Sequence, residues 1–423
     1  MGDRSPLGKP YWRLWTASTI SSLGDGASQT ALPLLAASLS RDPRLVAGVA
    51  TAGTIPWLVF SLHAGAIVDR YDKRLISVAM DTIRAIVTFG IVISIWTDAV
   101  RLPLLYFTAL MMGFAEVLFG NAAQALLPNV VDAQQLERAN GWQYSAEVAS
   151  RQFVGPPIGS FLFAAAASVP FIIDGISFIA SAALILTLGP IHRATRDMGV
   201  NNQSAAQPQR RMRHEIAEGL KWLFSHRLLR TLAICLGIMN LCTNGAFAVL
   251  VLLAQDRLHL TTRGFGVMLA AAAIGSVVGG LIGDRVSRAI GQGLTLMIAS
   301  LVEGGQLVVL GLTHSPVIAV LAMAMSGFTG TMWNVVTVSL RQQIIPPHLF
   351  GRVNSAYRLF GLGMMPIGTV IGGLIAHRWG VHMPFIVLGT VIVAEMIPIG
   401  LVATNAAIAH ARAGGATSDV DRA

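Results

Sequence analysis

Charge is scarce in this chain. Only 12% of its 423 residues are Asp, Glu, Lys or Arg, against 54% apolar residues. A soluble domain carries about a quarter charged residues, so a soluble enzyme or binding module is excluded and a protein of the lipid bilayer is expected. Cysteine is scarcer still. The two present, Cys235 and Cys242, fall on one face of an apolar segment, about two turns apart. That is too far for a disulfide, and they read as small packing residues. No Gly-x-x-x-x-Gly-Lys-Ser/Thr loop occurs, so ATP is not the direct energy source. No His and Cys cluster has metal-ligand spacing. Neither a cofactor nor an enzymatic reaction is expected. The N-terminus lacks a short apolar core followed by a cleavage site, so the first apolar segment is read as a retained span, anchored at the interface by Tyr11, Trp12 and Trp15.

What the chain does have is long uncharged runs. Leu45 through Val68 contains no Asp, Glu, Lys or Arg, and a span needs ~20 apolar residues. Repeating that reading along the chain predicts an all-α integral membrane protein with twelve transmembrane helices in two six-helix bundles. The bundles cover residues 1–190 and 228–403. Residues 191–227 form a cytoplasmic linker, and residues 404–423 a disordered cytoplasmic tail. The formal charge of +9 follows from topology. With both termini cytoplasmic, Arg41, Arg44, Arg101, Arg257, Arg263 and Arg378 lie outside, Arg84 and Arg151 lie within spans, and the other Lys and Arg face the cytoplasm. Nucleic-acid binding has no further support.

The halves repeat. Gly65-Ala-Ile-Val-Asp69-Arg70, followed by Lys73 and Arg74, returns as Gly280-Leu-Ile-Gly-Asp284-Arg285 with Arg288, in each case as a charged turn between two apolar arms. Gln124-Ala-Leu-Leu-Pro128 matches Gln342-Gln-Ile-Ile-Pro346, and Arg138-Ala-Asn140 matches Arg352-Val-Asn354, so a six-span unit is duplicated. In the linker, Asn201, Asn202, Gln203 and Ser204 precede Arg210, Arg211 and Arg213. The stretch His214 to Phe224 then sets Ile216, Leu220, Leu223 and Phe224 on one stripe, which predicts an amphipathic helix at the membrane surface.

Six plus six spans, a basic central linker and Gly-x-x-x-Asp-Arg after the second and eighth spans resemble the major facilitator superfamily. Ser22-Leu-Gly-Asp25-Gly, Glu218-Gly-Leu-Lys-Trp-Leu and Gly351-Arg-Val-Asn-Ser-Ala-Tyr are similar to the branch holding the enterobactin exporter and macrolide efflux pumps. The resemblance runs from Leu14 to about Val402. It implies alternating access, with two bundles rocking about a cavity lined by the first, fourth, seventh and tenth spans, and export driven by the proton gradient in a bacterial cytoplasmic membrane. Two departures stand out. Ala109 occupies the place where many drug/proton antiporters of the superfamily carry arginine, and Arg151 stands where their glycine-rich motif begins, although Gly155-Pro156-Pro-Ile-Gly159 continues it.

An ionised side chain near the bilayer centre costs at least ~2.5–3.5 kcal/mol on insertion scales, so each is a candidate site. Asp25, flanked by Gly24 and Gly26, is expected mid-membrane as a proton or cationic-substrate site, or as a carboxylate paired to a structural arginine. Glu147 and Arg151 have the spacing of an intrahelical pair, and Glu116 reaches a similar depth. The proton-coupling set is therefore Asp25, Glu116, Glu147 and Arg151, with a static structural pair as the alternative for the last three. Asp81 and Arg84 read as a local structural pair, and Asp174 as an anchor near the external end of the sixth span. Glu303 and Glu395 are read as contacting each other or a backbone group within the second bundle. Gly65, Asp69, Arg70, Arg74, Gly280, Asp284, Arg285 and Arg288 are read as a latch: the glycines allow close helix approach, and the aspartates accept from facing helix N-termini. For substrate, Asn240, Asn244, Trp333 and Asn334 offer amides and an aromatic face among the methionines of the tenth span. The expected partners are an amphiphilic small molecule, such as a drug, macrolide-like compound or siderophore, and the bilayer, with the chain acting as a monomer. An importer or symporter on the same fold, and a non-transporting membrane sensor, remain open alternatives.

Overall fold

The computed structural model describes residues 6–188, 218–346 and 349–409, and every regular element among them is helical. Ten segments are long and apolar enough to cross a membrane. They include α2 (Pro43–Arg70), α3 (Lys73–Trp96), α4 (Leu102–Leu126) and α7 (Val169–Leu186) in the first half. In the second half they include α9 (Arg227–Phe247), α11 (Thr262–Ile290), α12 (Gln292–Leu312), α13 (Pro316–Ile344) and α16 (Met383–Val402). The segment α14 (Phe350–Gly363) and α15 (Met365–Trp379) is interrupted at Met364. Two further expected spans differ in kind. Helix α1 (Lys9–Leu39) is long enough but carries Ser, Thr, Gly and Asp25 through its middle. The fifth expected span is composite: α5 (Leu136–Val148), a π-helical turn (Ala149–Val154), then α6 (Gly155–Ala165).

The chain divides into two compact units, Met1–Ala194 with Ala248–Ala273, and Thr195–Phe247 with Ile274–Ala423. In the first, α1 packs on α6 and α7, α3 on α4 and α7, and α2 on α4. In the second, α9 packs on α15 and α16, and α12 on α13 and α16. These four repeat the pairings that α1 and α3 make in the first unit. Residues 248–273 join the first unit through polar contacts: Arg41 pairs with Asp256 at 3.1 Å and donates to Gln255 Oε1 at 2.6 Å, while Ser160 Oγ donates to Thr262 O at 2.7 Å.

Several local expectations change. The Gly65 loop is not a loop, because α2 stays helical through Arg70 and the turn is Tyr71 and Asp72 alone. Asp72 caps α3 by accepting from Arg74 N at 2.9 Å and Leu75 N at 3.4 Å. In the second copy α11 runs on to Ile290, and the chain turns at Gly291 with φ +87°, a conformation that favours glycine. Tyr11 is fully buried rather than interfacial and donates to Ala139 O at 3.1 Å; Trp15 Nε1 donates to Trp142 O at 3.2 Å, and Trp12 stays exposed. The first turns of α1 are thus stapled to α5.

The linker residues 191–217, Ile216 among them, lie outside the described residues. Residues 218–225 form α8, and its apolar side meets protein. Leu223 is buried, and the Phe224 ring meets Phe360 of α14 at 5.5 Å between centroids, inclined by 58°. Glu218 pairs with Arg352 at 2.7 Å, and a Cβ on Gly219 would come within 2.5 Å of Arg352 O. Asn354 and Tyr357 of the Gly351 motif are also engaged. Asn354 Oδ1 accepts from Arg341 at 2.5 Å, and Tyr357 lies under that guanidinium at 4.2 Å and donates to Leu232 O at 3.3 Å. Glu218→Ala should cost under ~1 kcal/mol, since the pair is half-exposed. Gly219→Leu should undock α8 and speed limited proteolysis near residue 218 several-fold; equal cleavage rates for Gly219→Leu and the parent would refute this docking. The tail is not disordered from its start. Residues 405–409 are helical, and Asn405 accepts from Gly293 N at 2.8 Å, which fastens them to the start of α12. Residues 410–423 lie outside the described residues.

Candidate functional site

The middle of α1 is built for close contact. A Cβ on Gly24 would run into Asp174 Oδ1 and Ser177 Oγ of α7. One on Gly26 would come within 2.7 Å of Arg151 O, and one on Gly155 within 2.7 Å of Gly26 Cα. Gly159 approaches the Ala27 backbone in the same way. Small residues on α1 and α6 therefore let two backbones touch, the usual basis of helix association in lipid, and the Gly155-Pro156-Pro-Ile-Gly159 motif serves that contact.

Asp25 is held between these neighbours and meets α3. Arg84 Nη1 donates to Asp25 Oδ2 at 3.1 Å and to Oδ1 at 3.4 Å, while Nη2 donates to Asp81 Oδ1. The Arg84 side chain is 1% exposed, and its guanidinium lies 4.4 Å from both the Phe119 and the Phe178 ring centroids. The intrahelical Asp81–Arg84 pair exists, but it is one arm of a bridge to Asp25 that the spacing within α3 does not reveal.

Asp174, six residues into α7, belongs to the same core. It is fully buried against Gly24, Ser177 Oγ lies 3.5 Å from its Oδ1, and its Oδ2 has no hydrogen-bond partner. It stands near the start of the 18-residue α7 yet meets the middle of the 31-residue α1. Asp25 and Asp81 thus share one guanidinium, and Asp174 lies buried beside them against Gly24. Burying three carboxylates this close together is costly in a dry interior, so the cluster is no accident of packing.

Arg151 sits in the π-helical turn and pairs with Glu116 of α4. Gln29, one turn beyond Asp25 on α1, accepts from Arg151 Nε at 3.1 Å when its amide is oriented to satisfy both groups. Glu147, the partner expected from spacing, is also engaged, and its charge acts on Arg151. Asp25, Glu116 and Arg151 are therefore linked through α1.

The second unit is arranged differently. Asn240 Nδ2 donates to Gly361 O at 3.1 Å, and Asn244 Nδ2 to Asn240 O at 2.8 Å, so both amides hold backbone. Asn334 is exposed, while Trp333 is 3% exposed with its indole N–H lacking an acceptor. Glu303 and Glu395 are both buried, but they do not hydrogen-bond to each other. Glu303 accepts from Ser326, Thr329 and Gln306, whereas both carboxyl oxygens of Glu395 are without a partner. Ser326 and Thr329 were missed; their spacing on the tenth span, one turn apart, is the signal that could have marked them.

The latch residues depart from the expected geometry. A Cβ on Gly65 would meet open space, and one on Gly280 only Thr331 Cγ2 at 3.8 Å, so neither glycine is a point of close approach. Asp284 pairs with Arg288 at 2.6 Å on its own helix, both exposed, and Arg285 donates to Leu281 O at 3.2 Å. These contacts occupy groups that were expected to reach a facing helix. Arg70 is exposed and Arg74 half-buried.

Known proteins resemble this architecture over nearly its whole length. The sequence profile of the transmembrane secretion effectors matches residues 2–413. The multidrug efflux pump Tap of Mycobacterium tuberculosis is 26% identical over 409 residues, covering 93% of this chain and 92% of Tap. Macrolide efflux protein A of Streptococcus pyogenes is 22% identical, covering 92% and 94% respectively. Among solved structures, a bacterial homologue of the iron transporter ferroportin in an inward-facing state superposes with a TM-score of 0.69 at 15% identity, over 94% of this chain and 100% of that one. The nucleoside transporter NupG gives 0.66 at 14% identity over 93% and 98%.

Proposed function

The chain belongs to the transmembrane secretion effector family of the major facilitator superfamily, and from that footing we propose that it is a proton-driven exporter of amphiphilic small molecules. The observation that carries the proposal is the sharing of Arg84 by Asp25 and Asp81, with Asp174 buried beside them. A proton taken up by Asp25 releases one arm of Arg84, and its loss restores the bridge. Glu116, Glu147 and Arg151, joined to α1 through Gln29, sense the same change. If protonation favours one orientation of the protein and substrate the other, the two fluxes are coupled. The names of the efflux relatives favour outward transport of drugs or macrolide-like compounds, with siderophores within the same class. Trp333, with a buried donor to offer, suits a substrate acceptor, and Asn334 presents an accessible amide. The two copies of the Asp-Arg motif serve as a cytoplasmic latch that switches as a single chain moves through its cycle.

Everted membrane vesicles energised by a proton gradient test the reading. Asp25→Asn should abolish gradient-driven flux while leaving the protein folded in the membrane, and undiminished flux in that variant would remove Asp25 from the coupling. Cells expressing the parent should hold less compound than cells without it, and the difference should vanish on uncoupling. Higher accumulation in expressing cells would make the protein an importer.

A further inference from the structure

Asp174 is the acid of the first unit's core that Arg84 does not hold. The terminal nitrogens of that guanidinium donate to Asp25 and to Asp81, and among the described residues no cation bonds Asp174. The helices packed on α7 supply its neighbours. Asp25 and Ser28 face it from α1, Arg84 faces it from α3, Ser177 stands on α7 itself, and α6 carries no titratable side chain. Ser177 Oγ lies 2.8 Å from Asp174 O but 3.5 Å from Oδ1, so its one proton serves the backbone, and Oδ2 has no partner. An ionised Asp174 would stand in a dry interior without a bonded cation, which is the costly arrangement.

Asp25 and Asp174 differ in access, although one adjoins Gly24 in sequence and the other in space. The Asp25 side chain is 11% exposed, whereas Asp174 is fully buried. Exchange with water therefore runs through Asp25. Ser28 follows Asp25 by one turn on the same face of α1. Its hydroxyl is buried, faces Asp174 and makes no hydrogen bond of normal length. A hydroxyl both gives and takes a proton, so Ser28 is placed to link the two acids.

We propose that Asp174 is a second proton site, neutral at rest, and that it exchanges its proton with Asp25 through the hydroxyl of Ser28. The step balances. The Asp174 carboxyl gives its proton to Ser28 Oγ, Ser28 gives its own to the Asp25 carboxylate, and the negative charge passes from Asp25 to Asp174. No new charge is created in the interior, and Arg84, which faces both acids, offsets the charge in either place. Use of this proton in transport rests on the export reading; its presence on Asp174 does not.

Infrared spectroscopy of the full chain in phosphatidylcholine nanodiscs, isotopically labelled at the aspartate carboxyl carbon, reads the proton directly. At neutral pH the parent should show a labelled carboxylic-acid carbonyl band that Asp25→Asn keeps and Asp174→Asn loses. The absence of that band from the parent, its full strength in Asp174→Asn, or its loss with Asp25 alone overturns the proposal. Asparagine matches the neutral acid in size, so Asp174→Asn should fold; if it does not, Ser28→Ala still decides, because it alters neither acid. After transfer to heavy water, the deuterium shift of the band should be at least about tenfold slower in Ser28→Ala than in the parent, and equal rates overturn the exchange. These readouts need no flux. Lost flux in Asp25→Asn beside a missing band would remove this site and leave the export reading standing.

Discussion

Arg84→Met should remove most of the folded protein. The guanidinium is buried between two aromatic rings and bonded to both Asp25 and Asp81. Methionine fills much of the same volume, so the loss is electrostatic rather than a cavity. Removing one partner of a buried ion pair typically costs 3–5 kcal/mol, because the charge left behind has no compensation; at ~1.4 kcal/mol per decade that is a hundredfold or more in the folded ratio. The yield of monodisperse protein and its melting temperature in detergent read the effect. Adding Asp25→Asn and Asp81→Asn to Arg84→Met should restore folding but not proton-driven flux. That split separates the structural from the coupling role, and an Arg84→Met protein as stable as the parent would show that the charges are not interdependent.

A second large effect is expected at Gly275. A Cβ there would run into Ala324 O of α13, and one at Gly279 would lie 2.6 Å from Phe328 O; Ser276 Oγ, between them, donates to Gly327 O at 3.1 Å. Backbone cannot turn aside as a side chain can. Gly275→Val therefore forces α11 and α13 apart, at a cost of about 3 kcal/mol or more, and should lower the folded yield at least tenfold. Gly280→Ala, five residues on and within the repeated motif, meets only an ordinary contact at 3.8 Å and should leave yield and melting temperature unchanged. If the two substitutions behave alike, the close approach is not where the structure puts it.

That contrast also marks how far the sequence could be read. The spans were legible because a bilayer demands ~20 apolar residues whatever the partners are, and the repeat was legible because Gly, Asp and Arg recur in order. The role of Gly65 and Gly280 was not, since a glycine in a motif carries no sign of which face it presents; Gly275 and Gly279, five residues and one residue before Gly280, make the contact. Asp25 and Arg151 stood out as charges in lipid, yet the bridge through Arg84 joins α1 to α3, and no spacing within one helix can show that. The partnership of Arg151 with Glu116 was half visible from depth. The docking of α8 had both its halves on display, in Glu218-Gly219 and in Gly351-Arg352, and only their meeting was unseen.

The π-helical turn at Ala149–Val154 has a consequence for comparing this chain with its relatives. Such a turn holds one residue more than the α-helical turn it replaces, without displacing the helix on either side. A relative with an unbroken fifth span is therefore one residue shorter here, and its alignment must open a single gap between Ala149 and Val154. Placed anywhere else, that gap would slide Gly155 and Gly159 out of register with the glycines of other members, and it would assign the position of Arg151 to a neighbour that points elsewhere.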